Sequence, residues 1–328
     1  MIHEFSYVRA KTLKDVFQHL SAGARVLAGG TDLLGCMHDN IFAVSKVVSI
    51  SDVADLKGIR QSGEGLRIGA LVTLAEIAEN SIIKKDYPAL AQGAALAASP
   101  QLRNQGTLAG NLCQKPRCWY YRGEFHCLRK GGTMCFAAGG ENQYHCILGG
   151  EGCYMVHPSD TAPALIAYDA IVHIEGPNRK RSIPLENFFV LPKQDVMREH
   201  ITGPGEIVTE IILPPPAKQM WSSYRKVRER QTWDFAIVGV ALALQFQGDN
   251  VSMARIVLSG AAPVPWRAKE AEAFIIGKAL DATSAGKAGI AAVRGAQPLE
   301  HNEYKIPLFR GIIEEALTAV LTTAHDGP

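Results

Sequence analysis

No apolar run in the chain approaches the ~20 residues that cross a bilayer, which excludes a helical membrane span. The opening residues, Met1 to Tyr7, lack a basic stretch followed by an apolar core, so the chain shows no export signal of its own. That points to the cytoplasm, with the periplasm still open to a subunit carried out folded beside a partner. Charge of one sign is missing too: 34 basic and 32 acidic side chains are interspersed and leave a formal net charge of +2, without the basic stripe that nucleic acid or an anionic membrane would require. Internal repeats and low-complexity tracts are absent, as are Cys-x-x-Cys pairs. What the chain does have is ordinary globular stock, 328 residues with 47% hydrophobic and 20% charged, enough for two domains with proper cores.

Cysteine is the exception to that ordinariness. There are seven, and six of them (Cys113, Cys118, Cys127, Cys135, Cys146 and Cys153) crowd one stretch, with only Cys36 elsewhere. An odd count, a large core and no export signal argue against a disulfide framework and for metal ligation. Four thiolates complete a 4Fe-4S cluster. Zinc also accepts four, although its structural sites favour paired knuckles that this stretch lacks.

Around the cysteines the pattern is regular. Thr12 to Asp15 predicts a capped helix carrying Leu13, Val16, Phe17 and Leu20, followed by a strand at Arg25 to Ala28, a short helix from Asp32 and a strand at Lys46 to Ile50. Gly58 to Gln61 and Leu66 to Ala70 predict a hairpin, Thr73 to Glu76 a second capping box, and Ala89 to Ala98 a helix of small residues that other groups can approach closely. Periodicity vanishes between Cys113 and Cys153, as in an inserted loop, and returns with a helix at Thr161 to Ala170 and a strand at Ile171 to Glu175. Pro214-Pro215-Pro216 marks a domain boundary. Beyond it, strands at Ser222 to Arg230, Phe235 to Gln247 and Val251 to Gly260, then helices at about 267–277, 281–293 and 302–323, predict an α+β domain.

Two segments carry glycine and hydroxyls where a phosphate ligand could approach backbone amides: Ala28-Gly-Gly-Thr-Asp32 and Arg103-Asn-Gln-Gly-Thr107-Leu-Ala-Gly110-Asn111. Each alone is equally well a tight turn. Together they suggest a long diphosphate ligand lying between two lobes.

With Arg67-Ile-Gly-Ala-Leu-Val-Thr73, Pro158-Ser-Asp-Thr-Ala-Pro163, Gly205-Glu-Ile-Val208 and Tyr224-Arg-Lys-Val-Arg228 in the same order, the sequence resembles the FAD-binding subunit of the xanthine dehydrogenase and carbon monoxide dehydrogenase family over nearly its whole length. The resemblance implies an α+β fold. A two-lobed FAD-binding domain of the vanillyl-alcohol oxidase type would span 1–216, with lobes at about 1–55 and 56–216 and a cysteine-rich insertion at about 113–157. A C-terminal domain like that of the CO dehydrogenase flavoprotein would follow at 217–328.

Carried over by position, Arg25, Val26, Leu27, Ala28, Gly29, Gly30, Thr31, Asp32 and Leu33 would hold the pyrophosphate. Thr107, Gly110 and Asn111 would hold the flavin side, Asp160 a ribityl or phosphate-proximal hydroxyl, and Lys226 would stand beside the isoalloxazine or adenine. Ala98, Leu102, Gly106, Cys113, Ser159 and Val208 complete the implied cofactor contacts. Among relatives, 4-hydroxybenzoyl-CoA reductase and a bacterial periplasmic aldehyde oxidoreductase carry a cysteine insertion. The latter's pattern matches Cys118, Cys127, Cys135 and Cys153 as ligands of a 4Fe-4S cluster, leaving Cys146 in reserve and Cys36 in the core. His126, His145 and His157 read as exposed loop histidines, and Trp119, Tyr120 and Tyr121 as shields of a flavin or a cluster. No catalytic residue is assigned.

The implied function is electron transfer within a molybdenum hydroxylase: electrons reach FAD from 2Fe-2S clusters of a small subunit, originate at a molybdenum-bearing large subunit and leave to an external acceptor. A free-standing flavin oxidase with a zinc-stabilised lid, a reductase subunit of the benzoyl-CoA type and a zinc scaffold are the alternatives.

Overall fold

Leu13, Val16, Phe17 and Leu20 do share a helix face. The helix is Leu13–His19, and Thr12 and Asp15 cap it reciprocally through side chain and backbone. In the computed structural model, which describes residues 2–325, this helix covers a three-stranded parallel sheet of β1 (Ser6–Arg9), β2 (Ala24–Leu27) and β3 (Lys46–Ser49), in the order β1-β3-β2. Val16, Val48, Ile50 and Val53 form its small core. Strand β1 was not predicted: three of its four residues are exposed, so it shows no apolar alternation and is held by main-chain pairing at the sheet edge.

The second lobe is built on an antiparallel sheet of β4 (Ile59–Ser62), β5 (Gly65–Gly69), β6 (Ile171–Glu175), β7 (Lys180–Pro184) and β8 (Ile207–Leu213), ordered β4-β5-β8-β6-β7. The predicted hairpin supplies β4 and β5. Central β8, buried throughout except at Glu210, grows out of the Gly205-Glu-Ile-Val208 segment.

The third sheet holds β9 (Trp221–Val227), β10 (Val238–Gln247), β11 (Asn250–Ser259) and β12 (Trp266–Arg267) in the antiparallel order β12-β11-β10-β9. Its central strand explains how the two domains meet. Val238, Val240, Leu242 and Leu244 face the helices Lys269–Ile275, Ala282–Ala292 and Lys305–His325, whereas the small Ala241 and Ala243 face the second-lobe core. On that side lie the small-residue helix, observed at Pro88–Leu96, and the helix Thr161–Ala167. A Cβ on Gly93 would come within 2.6 Å of the Asp160 carbonyl oxygen, so the predicted close approach is real and brings the start of the second helix onto the first.

The cysteine-rich stretch contains one short helix, Trp119–Arg122, and two single 3-10 turns, Leu128–Lys130 and Phe136–Ala138. It is docked rather than loose. Ile147 and Leu148 donate their amides to Ala261 O at 2.9 and 3.0 Å and enter the C-terminal core. Fully buried Lys305 gives its Nζ to the carbonyls of Tyr144, His145 and Gly260 at 3.1, 2.9 and 2.9 Å, and burial pushes its ammonium down to about 7.

Candidate functional site

Two glycine segments far apart in the chain meet at one place. Gly29 lies so close to Gln105 that any Cβ on it would overlap the Gln105 carbonyl oxygen, while Gly106 approaches Thr31. Gly30 turns the chain with φ +74°, a conformation that favours glycine. Among the described residues, no hydrogen bond within the chain engages the amides of Gly29, Gly30, Thr31 or Asp32. Four successive free N–H groups in a partly exposed loop form a concave donor set suited to phosphate oxygens. On the facing segment Thr107 caps the helix Leu108–Leu112 by accepting from the Gly110 amide at 3.2 Å. Asn111 Oδ1 accepts from Ser159 Oγ at 2.5 Å and Thr161 Oγ1 at 2.7 Å, which ties the third motif to the second.

The remaining predicted contacts are placed differently. Asp32 turns away from the free amides: its oxygens accept from Lys115 N–H at 2.8 Å and from Arg122 and Arg117 guanidinium groups at 2.6 and 3.0 Å. Asp160 and Lys226 form a buried ion pair at 2.7 Å, with Tyr224 also donating to Asp160 at 2.7 Å and Lys226 donating to Leu96 O and Asp234 O at 3.2 and 2.8 Å. Burial raises the Asp160 pKa against the pull of Lys226. Val208 is buried in β8 within the second-lobe core, Arg25 lies exposed over the Phe42 ring, and Leu33 begins the helix Leu33–His38. Ala98 takes a left-handed φ of 48°, and its carbonyl accepts from Trp233 N–H. Leu102 O accepts the Gly106 amide at 2.7 Å. Cys113 caps the helix Leu108–Leu112 at its C-terminus, where burial pushes the thiol up to about 12.

Cys118, Cys127, Cys135 and Cys153 surround a single cavity together with Tyr120, Tyr121, Arg129, Phe136 and Met155. Cys146 is buried beside Gly150 with its amide on Tyr154 O, and Cys36 is buried on its helix. Neither lines that cavity. Among the described residues, no three His, Cys, Asp or Glu side chains are gathered around a point where one metal ion would sit. His145 Nε2 lies 3.2 Å from Cys118 Sγ. Burial pushes Cys118 up to about 12 and Cys135 up as well, so the thiolate forms need a positive partner. Four thiols around one cavity are the donor type and number that a 4Fe-4S group would take, as distinct from a single metal ion.

Two expectations about histidine are corrected. His145 and His157 are each 3% exposed, not solvated, because the loop folds back on the body of the protein. His145 packs against Trp119 and Tyr120, and His157 against Phe189 with Nε2 3.3 Å from Leu112 O; burial lowers both to about 4, and both are neutral at physiological pH. A larger cavity of about 300 Å³ adjoins the thiols, lined by Arg117, Cys118, Trp119, His145, Pro158 and residues 229–230 and 234–237. Cys118 is common to both cavities.

Sequence reasoning missed the charged frame between the two sites. Glu199, 3% exposed, takes Arg129 Nη1 at 2.8 Å and Lys115 Nζ at 2.6 Å. Burial raises its pKa, but the two cations outweigh burial and hold the carboxyl below its usual range. Arg129 could have been noticed inside Cys127-Leu-Arg-Lys130; Glu199 lies in a remote segment with no motif around it.

Comparison with known proteins gives the family of the chain. The family described as FAD binding domain in molybdopterin dehydrogenase matches residues 3–216, and CO dehydrogenase flavoprotein C-terminal domain matches residues 222–320. The chain is 37% identical over 280 residues to the aldehyde oxidoreductase FAD-binding subunit PaoB of Escherichia coli (strain K12), covering 82% of this chain and 85% of that one. It is 28% identical over 305 residues to the carbon monoxide dehydrogenase medium chain of Hydrogenophaga pseudoflava, covering 92% and 90%. A solved structure of carbon monoxide dehydrogenase from that organism, lacking the Mo-pyranopterin moiety of its cofactor, superimposes with a TM-score of 0.77 at 27% identity, covering 97% of both chains.

Proposed function

Because the chain belongs to the FAD-binding subunits of the xanthine dehydrogenase and carbon monoxide dehydrogenase family, we propose that it is the electron-transfer subunit of a heteromeric molybdenum hydroxylase. In this reading it stands between the 2Fe-2S clusters of a small subunit, fed by a molybdenum-bearing large subunit, and an external electron acceptor. The observation that carries the FAD assignment is the meeting of the two glycine segments beside four unengaged amides. The domain at 1–216 holds the cofactor in this reading, and Tyr224 and Lys226 of the C-terminal domain fix Asp160.

The chain's own work is to bind and orient. Gly29, Gly30 and Thr31 offer amides to the diphosphate, Thr107 and Gly110 keep the facing backbone open, and Asp32 anchors the cysteine loop to the glycine loop. Bound FAD supplies the exchange between single-electron clusters and a two-electron acceptor. Cys118, Cys127, Cys135 and Cys153 are the ligands of an additional 4Fe-4S cluster in this reading, supported by their shared cavity. No residue is assigned to substrate chemistry, so the subunit alone hydroxylates nothing.

Co-expression with its partner subunits, followed by flavin, iron, labile sulfide and zinc analysis, tests both cofactors. FAD with four irons and four sulfides assigned to this subunit is the expected result. Zinc in place of iron, or a flavin-free complex, would sink the corresponding assignment, and turnover of an aldehyde or purine by the lone subunit would sink the division of labour.

A further inference from the structure

One charged side chain stands in the wall of the thiol cavity. Arg129 is 4% exposed and is held from behind by Glu199, which accepts its Nη1 at 2.8 Å. Its Nε and Nη2 are buried and make no hydrogen bond among the described residues. Idle donors in a dry interior are costly, and proteins rarely keep them without a use. The charge balance has the same direction. Glu199 is shared between Arg129 and Lys115, whose Nζ lies 2.6 Å from it, so one carboxylate answers two cations and the trio carries a net positive charge. His200, adjoining Glu199, is lowered by burial to about 4 and adds no charge at neutral pH. Arg129 and Cys153 line the same cavity.

We propose that Arg129 is a positioning residue for the metal-sulfur group of the four cysteines, its free Nε–H and Nη2–H donating to the Cys153 sulfur and adjacent sulfide and its charge favouring the reduced state. The inference rests on the reading of these cysteines as cluster ligands. When such a cluster takes one electron from the flavin, no bond forms or breaks and the cluster gains one unit of negative charge. A fixed cation beside it stabilises that extra charge and raises the reduction potential. Glu199 holds the guanidinium in place, and through Lys115 and its amide bond to Asp32 the same frame reaches the glycine loop.

The test uses the complete complex with Arg129→Gln and Arg129→Lys, measuring iron, labile sulfide and FAD, and titrating the extra cluster's midpoint potential by EPR. R129Q should keep the cluster with a lower potential, displacing the flavin-cluster electron equilibrium about tenfold, equivalent to about 59 mV for one electron. R129K should fall between R129Q and the parent. Loss of the extra iron in R129Q with retention in R129K also supports the assignment, since charge is then needed to keep the cluster. A fully loaded R129Q at the parent potential overturns it, as does equal loss of iron from both variants, which would make the role one of shape. If the parent complex itself lacks the extra iron and sulfide, the cluster reading fails first; an unchanged potential in a loaded variant leaves that reading intact and removes only this one.

Discussion

The glycine loop at 28–32 and the thiol cavity at 118–153 touch through Asp32, yet they are constructed on opposite principles. The loop works by leaving side chains out: Gly29 has room for a hydrogen and nothing larger, and the donors it presents are main-chain amides. The cavity works by bringing side chains in, four thiols and an arginine, inside a frame of buried charge. A backbone site tolerates change around it but not within it. A side-chain site depends on distant partners that hold its charges in balance, so it can be damaged from far away.

The sharpest way to break the comparison is to exchange the cysteines one at a time. Cys135→Ser should remove the extra iron and sulfide altogether while leaving FAD in place, because Cys135 lines the cavity. Cys146→Ser should leave both contents near the parent's, since Cys146 lies outside it. Iron loss from C146S with retention in C135S would reverse the ligand assignment. The counterpart on the other side is Gly29→Val. Its side chain cannot coexist with the Gln105 carbonyl, so the two glycine segments must part, and FAD affinity should fall by tenfold or more while iron is retained. Flavin absorbance after gel filtration reads the outcome, and full flavin occupancy in G29V would show that the two segments do not jointly hold it.

How much of each site could be seen in advance follows from the same contrast. Gly29 and Gly30 at a strand-helix junction, and Thr107 and Gly110 at a helix start, were legible locally as turns and only together as a candidate backbone site. Capped helices such as Leu13–His19, and β10 with its alternation of Val or Leu with Gly or Ala, were legible because their determinants lie within a few residues. Strand β1 was not, since main-chain pairing alone holds it. Resemblance to a relative's cysteine pattern picked out the four that share a cavity, but Glu199 and its two cations are separated along the chain by 84 and 70 residues, and no local pattern links them. His145 read as a surface residue because its burial comes from Lys305 and Asn302, which grip the loop from the C-terminal domain.

Glu199→Gln tests whether the side-chain site can be damaged from outside its motif. Removing one member of a buried ion pair costs about 3–5 kcal/mol, which urea unfolding of the complex-free subunit would register as a lower midpoint. The pH dependence gives the ionic part its own signature. The folded-state pKa of Glu199 is depressed, so its contribution is fully present above the unfolded value of about 4.3 and disappears as pH falls through the folded value. The parent should therefore keep its advantage over E199Q from pH 7 down to about 4.3 and lose it below. An advantage that does not change with pH would mean that packing, not charge, holds the frame.

The smallest effect belongs to the backbone site's own support. Thr107 contributes one oxygen, accepting from the Gly110 amide at 3.2 Å at the start of a helix only five residues long. Loss of such a cap typically costs about 1 kcal/mol. Because the capped turn carries Gly110 and Asn111, part of that cost should appear in cofactor binding: Thr107→Ala should weaken FAD by a factor of about 2–5, less than 1.4 kcal/mol, with iron content and cluster potential unchanged. Thr107→Ser restores the oxygen and should recover most of the affinity. A tenfold or greater loss in T107A would mean that the hydroxyl itself contacts the cofactor. The facing segment would then be a side-chain site like the cavity, and the contrast between the two regions would hold only for residues 28–32.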